Sequence, residues 1–176
     1  MLEATKKKID AHRDKASQAA YQAMLFGSAP AQLEVSAKRV FTYHKDLYPA
    51  HELYAEAGFR KHYYRAVGKM NGEEAVCARL IDSLPRISYW VRNLERQPDF
   101  SFWLPTPTDK FYPDYVAILN DERVLAVEYK GELSREEDNK EKIAIGNLWA
   151  ERSNGQCLFL FVRKDDFESR LSAAAG

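Results

Sequence analysis

Residues 111–131, FYPDYVAILNDERVLAVEYKG, restrict the fold more than any other part of the chain. Residues 112–119 and 123–130 are rich in Val, Ile, Leu and Tyr, while Asn120, Asp121 and Glu122 between them are poor strand formers, so the pair reads as a β-hairpin. A three-residue loop fixes the register. Leu119 then faces Arg123, and counting back along both strands sets Asp114 opposite Glu128, with Cβ atoms about 5 Å apart. Strand alternation puts Lys130 on the face of Glu128 and turns Tyr129 to the other. Two carboxylates so placed repel each other unless a cation lies between them, which points to a metal site. Taken singly, an Asp at a strand start and an acid-x-Lys at a strand end are common, and most such residues are only solvated or salt-bridged.

The elements around the hairpin follow from periodicity. Residues 2–26 carry few breakers and many Ala, Lys and Gln, predicting an N-terminal helix stopped by Gly27-Ser28-Ala29-Pro30. Leu2, Ile9, Ala16 and Ala23 recur every seven residues without a second apolar heptad position, which argues against a stable coiled coil. Leu33, Val35 and Ala37 alternate with polar residues as a strand, and residues 61–67 form a Tyr-rich extended piece. After the Asn71-Gly72 turn, Glu73-Glu74 opens an amphipathic helix with Val76, Cys77, Leu80 and Leu84 inward and Pro85 beyond its end. Residues 87–93 and 100–104 read as strands, and Pro105 and Pro107 make 104–110 irregular. Ser134 caps a helix running to about Arg152, with Ile143, Leu148 and Trp149 inward and Asn154-Gly155 closing it. Residues 156–162, continuously apolar from Cys157, read as a buried parallel strand reached by a crossover helix, and 164–176 form a short frayed helix. The sum is an α/β domain over residues 31–176, a mixed β-sheet flanked by helices, preceded by an N-terminal helical extension or linker in 1–30.

A chain of 176 residues, 45% apolar and 30% charged, suits one domain with a full core rather than a disordered segment. The longest apolar run, residues 157–162, is too short to cross a bilayer, and Lys6, Lys7 and Lys8 lead into polar sequence, so no membrane association and a cytoplasmic location are expected. Cys77 and Cys157 sit in apolar surroundings without paired spacing and are expected as buried free thiols, not zinc ligands. The net charge is zero, which weakens attraction to nucleic acid. Its distribution is uneven. Seven basic residues, among them Arg60, Lys61 and Arg65, stand against three acidic ones between Lys38 and Lys69, interleaved with Tyr43, Tyr48, Tyr54, Tyr63 and Tyr64. That composition is compatible with a DNA-contacting surface and equally with a solvated face over core tyrosines.

Pro113-Asp114, an apolar strand and then Glu128-Tyr129-Lys130 resemble the PD-(D/E)xK nuclease signature. The chain is similar to the C-terminal endonuclease domain of type III restriction enzymes and related helicase-nucleases through Ser88-Tyr-Trp-Val-Arg-Asn-Leu-Glu-Arg, Phe102-Trp-Leu-Pro-Thr, Phe111-Tyr-Pro-Asp, Val127-Glu-Tyr-Lys-Gly and Glu141-Lys-Ile with Trp149 downstream. The similarity covers residues 84–162 and, more loosely, 48–74. It implies a restriction-endonuclease-like fold and Mg²⁺-dependent hydrolysis of DNA, with Mn²⁺ able to substitute. Asp114, Glu128 and the main-chain carbonyl of Tyr129 would be the ligands, and Lys130 would orient the attacking water or stabilise the oxyanion. A helix-borne Glu joins the metal in such enzymes; Glu73, at the edge of the buried stripe, is preferred to Glu74. Lys142 on the following helix is a candidate phosphate contact or a solvated helix lysine. The hairpin departs from the expected pattern at Glu122, where a left-handed loop position favours Gly. Such enzymes act with an ATP-driven motor, and the chain contains no GxxxxGK loop, so an ATP-dependent helicase or translocase module in the same or a partner chain is implied. The rival readings are a catalytically idle nuclease-fold module that binds DNA or docks a helicase, and an interaction domain in which Asp114, Glu128 and Lys130 form an internal salt bridge.

Overall fold

A computed structural model describes residues 53–54, 58–97, 101–106, 109–131 and 136–176. The expected helix at 2–26, the strand beginning at 33, the basic residues Lys38, Arg39 and Lys45, and the Ser134 cap lie outside them. In chain order the elements are helix α1 (Gly72–Ser83), strands β1 (Ile87–Arg92), β2 (Leu104–Pro105), β3 (Lys110–Phe111), β4 (Tyr115–Leu119) and β5 (Val124–Lys130), helix α2 (Glu136–Arg152), strand β6 (Cys157–Arg163) and helix α3 (Phe167–Ala175). The chain is of the mixed α/β class: a four-stranded sheet in the order β1-β4-β5-β6, with β2 and β3 as a separate antiparallel pair. β4 is antiparallel to both β1 and β5, and β6 is parallel to β5, as its apolar run predicts.

The hairpin has the expected register. Tyr115 pairs with Val127 and Ile118 with Val124, and the Leu119 N–H donates to the Arg123 carbonyl at 2.9 Å. Glu122 closes the loop at φ 67°, the left-handed position that a glycine would fill without steric cost.

Alternation along these strands divides the core in two. Tyr115, Ala117, Leu125, Val127 and Tyr129 face α1 and α3; Val116, Val124 and Ala126 face α2 and the β2–β3 pair. Asn71 caps α1, its side chain accepting from the Glu74 N–H while Glu74 accepts from the Asn71 N–H. Ala75, Cys77, Ala78 and Ile81 form the buried stripe, so Val76, expected inward, is half exposed. The C-terminal segment is a docked helix rather than a frayed one, because Phe167, Leu171 and Ala175, four residues apart, all enter the first core. On the other face α2 lies close enough to β6 that a Cβ on Gly146 would sit 2.3 Å from the Phe159 ring.

The strand expected at 100–104 contracts to Leu104–Pro105, paired with Lys110–Phe111. The buried Asn93 side chain accepts from the Phe102 N–H at 2.9 Å and donates to the carbonyls of Phe102 and Pro113, each at 2.8 Å. This amide therefore takes the main-chain groups a strand neighbour would have used. Beside β1, Tyr63 N–H donates to the Trp90 carbonyl and Trp90 N–H to the Lys61 carbonyl, so residues 61–63 extend that edge. No helix among the described residues is long and apolar enough to cross a membrane.

Candidate functional site

The β4–β5 ladder ends at Asp114. Counting from the hydrogen-bonded pair Leu119 and Arg123, the next donor along β5, the Tyr129 N–H, should reach the Pro113 carbonyl. Asn93 Nδ2 takes that carbonyl, and the Tyr129 N–H donates instead to Asp114 Oδ2 at 2.8 Å. A carboxylate oxygen thus replaces a main-chain acceptor where the paired strands end. The other oxygen, Oδ1, accepts from Arg92 Nη1 at 2.7 Å.

Glu128 lies across from Asp114, its side chain only 2% exposed. Its Oε1 carries two ammonium groups, Lys142 of α2 at 2.8 Å and Lys130 at 3.0 Å. Its Oε2 is buried and has no hydrogen-bond partner among the described residues. Burial raises the Glu128 pKa, and repulsion from Asp114 raises it further against the pull of Lys142 and Lys130. For Lys130 burial acts downward, but the Glu128 charge outweighs it and the pKa rises, so the ammonium stays charged. Lys142 Nζ also lies over the Phe111 ring, 5.0 Å from its centroid.

Arg92, at the end of β1, is the third cation of the site. Beyond Asp114 Oδ1, its Nη1 reaches the Asp114 carbonyl at 3.0 Å and its Nη2 reaches Glu74 Oε1 at 3.1 Å, with the guanidinium over the Tyr115 ring. Desolvation acts against its charge, but Asp114, Tyr115 and Glu74 overcome it and hold Arg92 above its already high pKa. Glu74 is fixed in turn, because its Oε2 accepts from the Asn71 N–H at 2.7 Å. The Arg92 N–H donates to His62 Nε2 at 3.1 Å, so the proton of this neutral imidazole sits on Nδ1 and is donated to the Tyr64 carbonyl at 2.7 Å. Burial keeps the His62 pKa below its ordinary value. Three acids, Glu74, Asp114 and Glu128, therefore meet three bases, Arg92, Lys130 and Lys142.

Sequence reasoning finds Asp114, Glu128, Lys130 and Lys142, and the structure brings these four together. It does not bring Glu73 to them. Glu73 turns to the face of α1 and α3, where its carboxylate pairs with Lys164 at 3.3 Å and interacts with the Tyr129 phenol, whose pKa burial and the Glu73 charge both raise. The expected helix-borne acid near the pair is instead Glu74, reached through Arg92. Asn71-x-x-Glu74 is a legible capping box, and Arg92 is the one charge in the strand ISYWVR, but neither pattern says which carboxylate the guanidinium chooses. Of the three proposed DNA contacts between Lys38 and Lys69, the Lys61 ammonium donates to the Leu84 carbonyl at the end of α1 and serves the fold. Arg60 and Arg65 are exposed; the Arg60 and Lys61 N–H groups are held by Asp82.

Among the described residues no three His, Cys, Asp or Glu side chains gather into a metal-binding group, so the acidic donors form a pair. Comparison of the chain with protein-family models, curated proteins and solved structures gives no match.

Proposed function

We propose that the chain is a metal-dependent DNA endonuclease domain of the restriction-endonuclease-like type, hydrolysing phosphodiester bonds in a restriction or helicase system. The observation that carries this reading is the buried Oε2 of Glu128, without a hydrogen-bond partner among the described residues, on a side chain that lies across the hairpin from Asp114 and is flanked by the charged Lys130. A buried carboxylate oxygen without a donor is costly unless a ligand completes it. Asp114, Glu128 and the Tyr129 carbonyl would hold Mg²⁺, or Mn²⁺ in its place, which supplies a water of lowered pKa and neutralises phosphate charge. Both carboxylates are hard oxygen donors suited to that ion. Lys130, kept protonated by Glu128, offers a compact cation to the developing oxyanion, and Lys142 offers a second to the neighbouring phosphate. Zero net charge supports a reading in which the grip on DNA comes largely from an ATP-dependent helicase or translocase module in the same or a partner chain. The test is plasmid nicking by the purified chain with Mg²⁺, Mn²⁺ or EDTA. Nicking in either metal, abolished by EDTA and by Asp114→Ala, is expected; activity that survives EDTA would overturn the reading.

One observation favours a second reading, an idle nuclease-fold module that binds DNA or docks a helicase. Every acid of the site already faces a base, and the carboxylate repulsion is met internally. The two separate on Mn²⁺ titration: an idle module gives no heat, and its DNA binding ignores EDTA.

A further inference from the structure

Asp114 stands between two carboxylate partners, Glu128 across the hairpin and Glu74 on α1. Only the second pairing is bridged by a guanidinium, with Arg92 Nη1 2.7 Å from Asp114 Oδ1 and Nη2 3.1 Å from Glu74 Oε1. That bridge is held from several sides. The Arg92 side chain is 12% exposed, its Nη1 also donates to the Asp114 carbonyl, the Tyr115 ring lies beneath it and its main-chain N–H is taken by His62. A guanidinium does not deprotonate at any ordinary pH, and displacing it would leave a buried charge without its partners. Glu128 presents the opposite situation, since both of its cations sit on Oε1, on the flexible stems of Lys130 and Lys142, and its buried Oε2 has no hydrogen-bond partner among the described residues.

Resting on the metal-dependent reading above, we propose that Arg92 is a positioning residue that permanently fills a second cation position between Glu74 and Asp114, and so limits the site to one divalent ion per chain. The ion lies on the Glu128 side of Asp114. Arg92 also fixes Asp114 Oδ1 before the metal arrives, leaving less to order on binding.

The experiment counts Mn²⁺ on the full chain by titration calorimetry and by the electron paramagnetic resonance signal of the free ion. Wild type binds one ion. Glu74→Gln still binds one, with Kd within about threefold, because Glu74 is committed to Arg92, whereas Asp114→Asn weakens binding at least about tenfold. Arg92→Gln gains a second ion, lost again in Arg92→Gln/Glu74→Gln, and Arg92→Lys stays at one. Two ions on wild type, loss of Mn²⁺ affinity in Glu74→Gln equal to that in Asp114→Asn, or a single ion on folded Arg92→Gln overturns the role of Arg92 and leaves the metal-dependent reading standing. No Mn²⁺ on wild type overturns both. Should Arg92→Gln fail to fold by circular dichroism, the wild-type count and Glu74→Gln still decide.

Discussion

Burial and the facing Asp114 both raise the proton affinity of Glu128, and the two lysines on its Oε1 offset only part of that rise. Because its folded pKa lies above the unfolded value of 4.5, the stability it contributes is full below that value and is lost as pH rises through the folded one. In EDTA, the melting temperature of Glu128→Gln should therefore gain on that of wild type as pH rises above the unfolded value of 4.5. Mn²⁺ should act in the other direction, stabilising wild type increasingly as Glu128 ionises and leaving the Gln variant unmoved, since ligation needs the carboxylate. A melting difference flat with pH would show that the lysines neutralise Glu128 in full. Lys130 differs from Lys142 in lying on the same strand as Glu128, two residues on, where its position is set by the strand itself. Lys130→Ala should keep Mn²⁺ affinity and lose at least about a hundredfold in nicking rate, with no rescue by Lys130→Arg, whose planar fork reaches differently. A variant that nicks at the wild-type rate would leave Lys130 as a salt-bridge partner only. Asp114, Glu128 and Lys130 are legible in the sequence because a two-residue strand period and a three-residue loop convert spacing directly into facing. Arg92 and Glu74 are not, because what joins them is a contact between the end of one strand and the start of a helix, and no local period encodes it.

Among the elements, α2 shows how a residue that reads as a defect locally can be required by packing. Gly146 stands in the middle of a helix, where Ala should be better by about 1 kcal/mol on propensity. Here the added Cβ would meet the Phe159 ring at 2.3 Å, well inside contact distance. Overpacking of this kind costs about 1–3 kcal/mol, so Gly146→Ala should lower the urea midpoint rather than raise it. Phe159→Leu in that background should recover part of the loss, and a midpoint above wild type would mean that α2 shifts freely on the sheet. The same helix carries Lys142, so its close seat on β6 also sets how far that ammonium reaches toward Glu128. Sequence periodicity recovers α1, β1, β4, β5, α2 and β6, each long enough for its period to be counted. It misjudges the extent of β2 and the docking of α3, which it predicts as a helix but a frayed one. The contraction of β2 depends on the Asn93 amide capturing Phe102, a contact across nine residues, and the docking of α3 depends on Phe167, Leu171 and Ala175 finding a core that the segment alone does not display. It also misplaces Val76, because Ala75 and Ala78 are too small to register as core yet are what lets α1 approach the sheet.

At the scale of the whole molecule the charge balance bears on how the domain would meet the proposed DNA substrate. The net charge is zero, and the three bases nearest the site are matched by three acids, so little free positive potential remains there for a phosphate backbone. Of the basic residues in the described part of the 38–69 stretch, Lys61 is committed to the Leu84 carbonyl, whereas Arg60, Arg65 and Lys69 are exposed. Each phosphate neutralised contributes about 0.9 to the slope of log affinity against log salt, so a surface offering only a few such contacts should bind duplex DNA weakly, with a shallow salt dependence. The substitutions should then separate by role. Arg60→Glu/Arg65→Glu should reduce the residual binding without changing Mn²⁺ affinity, while Lys61→Ala should lower stability and leave binding little altered, because it removes a partner from the end of α1. Tethering the chain to a DNA-gripping module should raise nicking far more than any change in salt, since a linker supplies an effective concentration that the domain's own charge does not. Fluorescence anisotropy on a labelled duplex from about 50 to 300 mM salt, on wild type and each variant, makes the comparison. Tight and steeply salt-dependent binding by wild type would mean that a basic surface outside Arg60 and Arg65 grips the DNA and that the balance of the whole chain conceals it. Indifference to the double charge reversal would separate the DNA path from the β1 edge and leave the proposed partner module as the source of affinity.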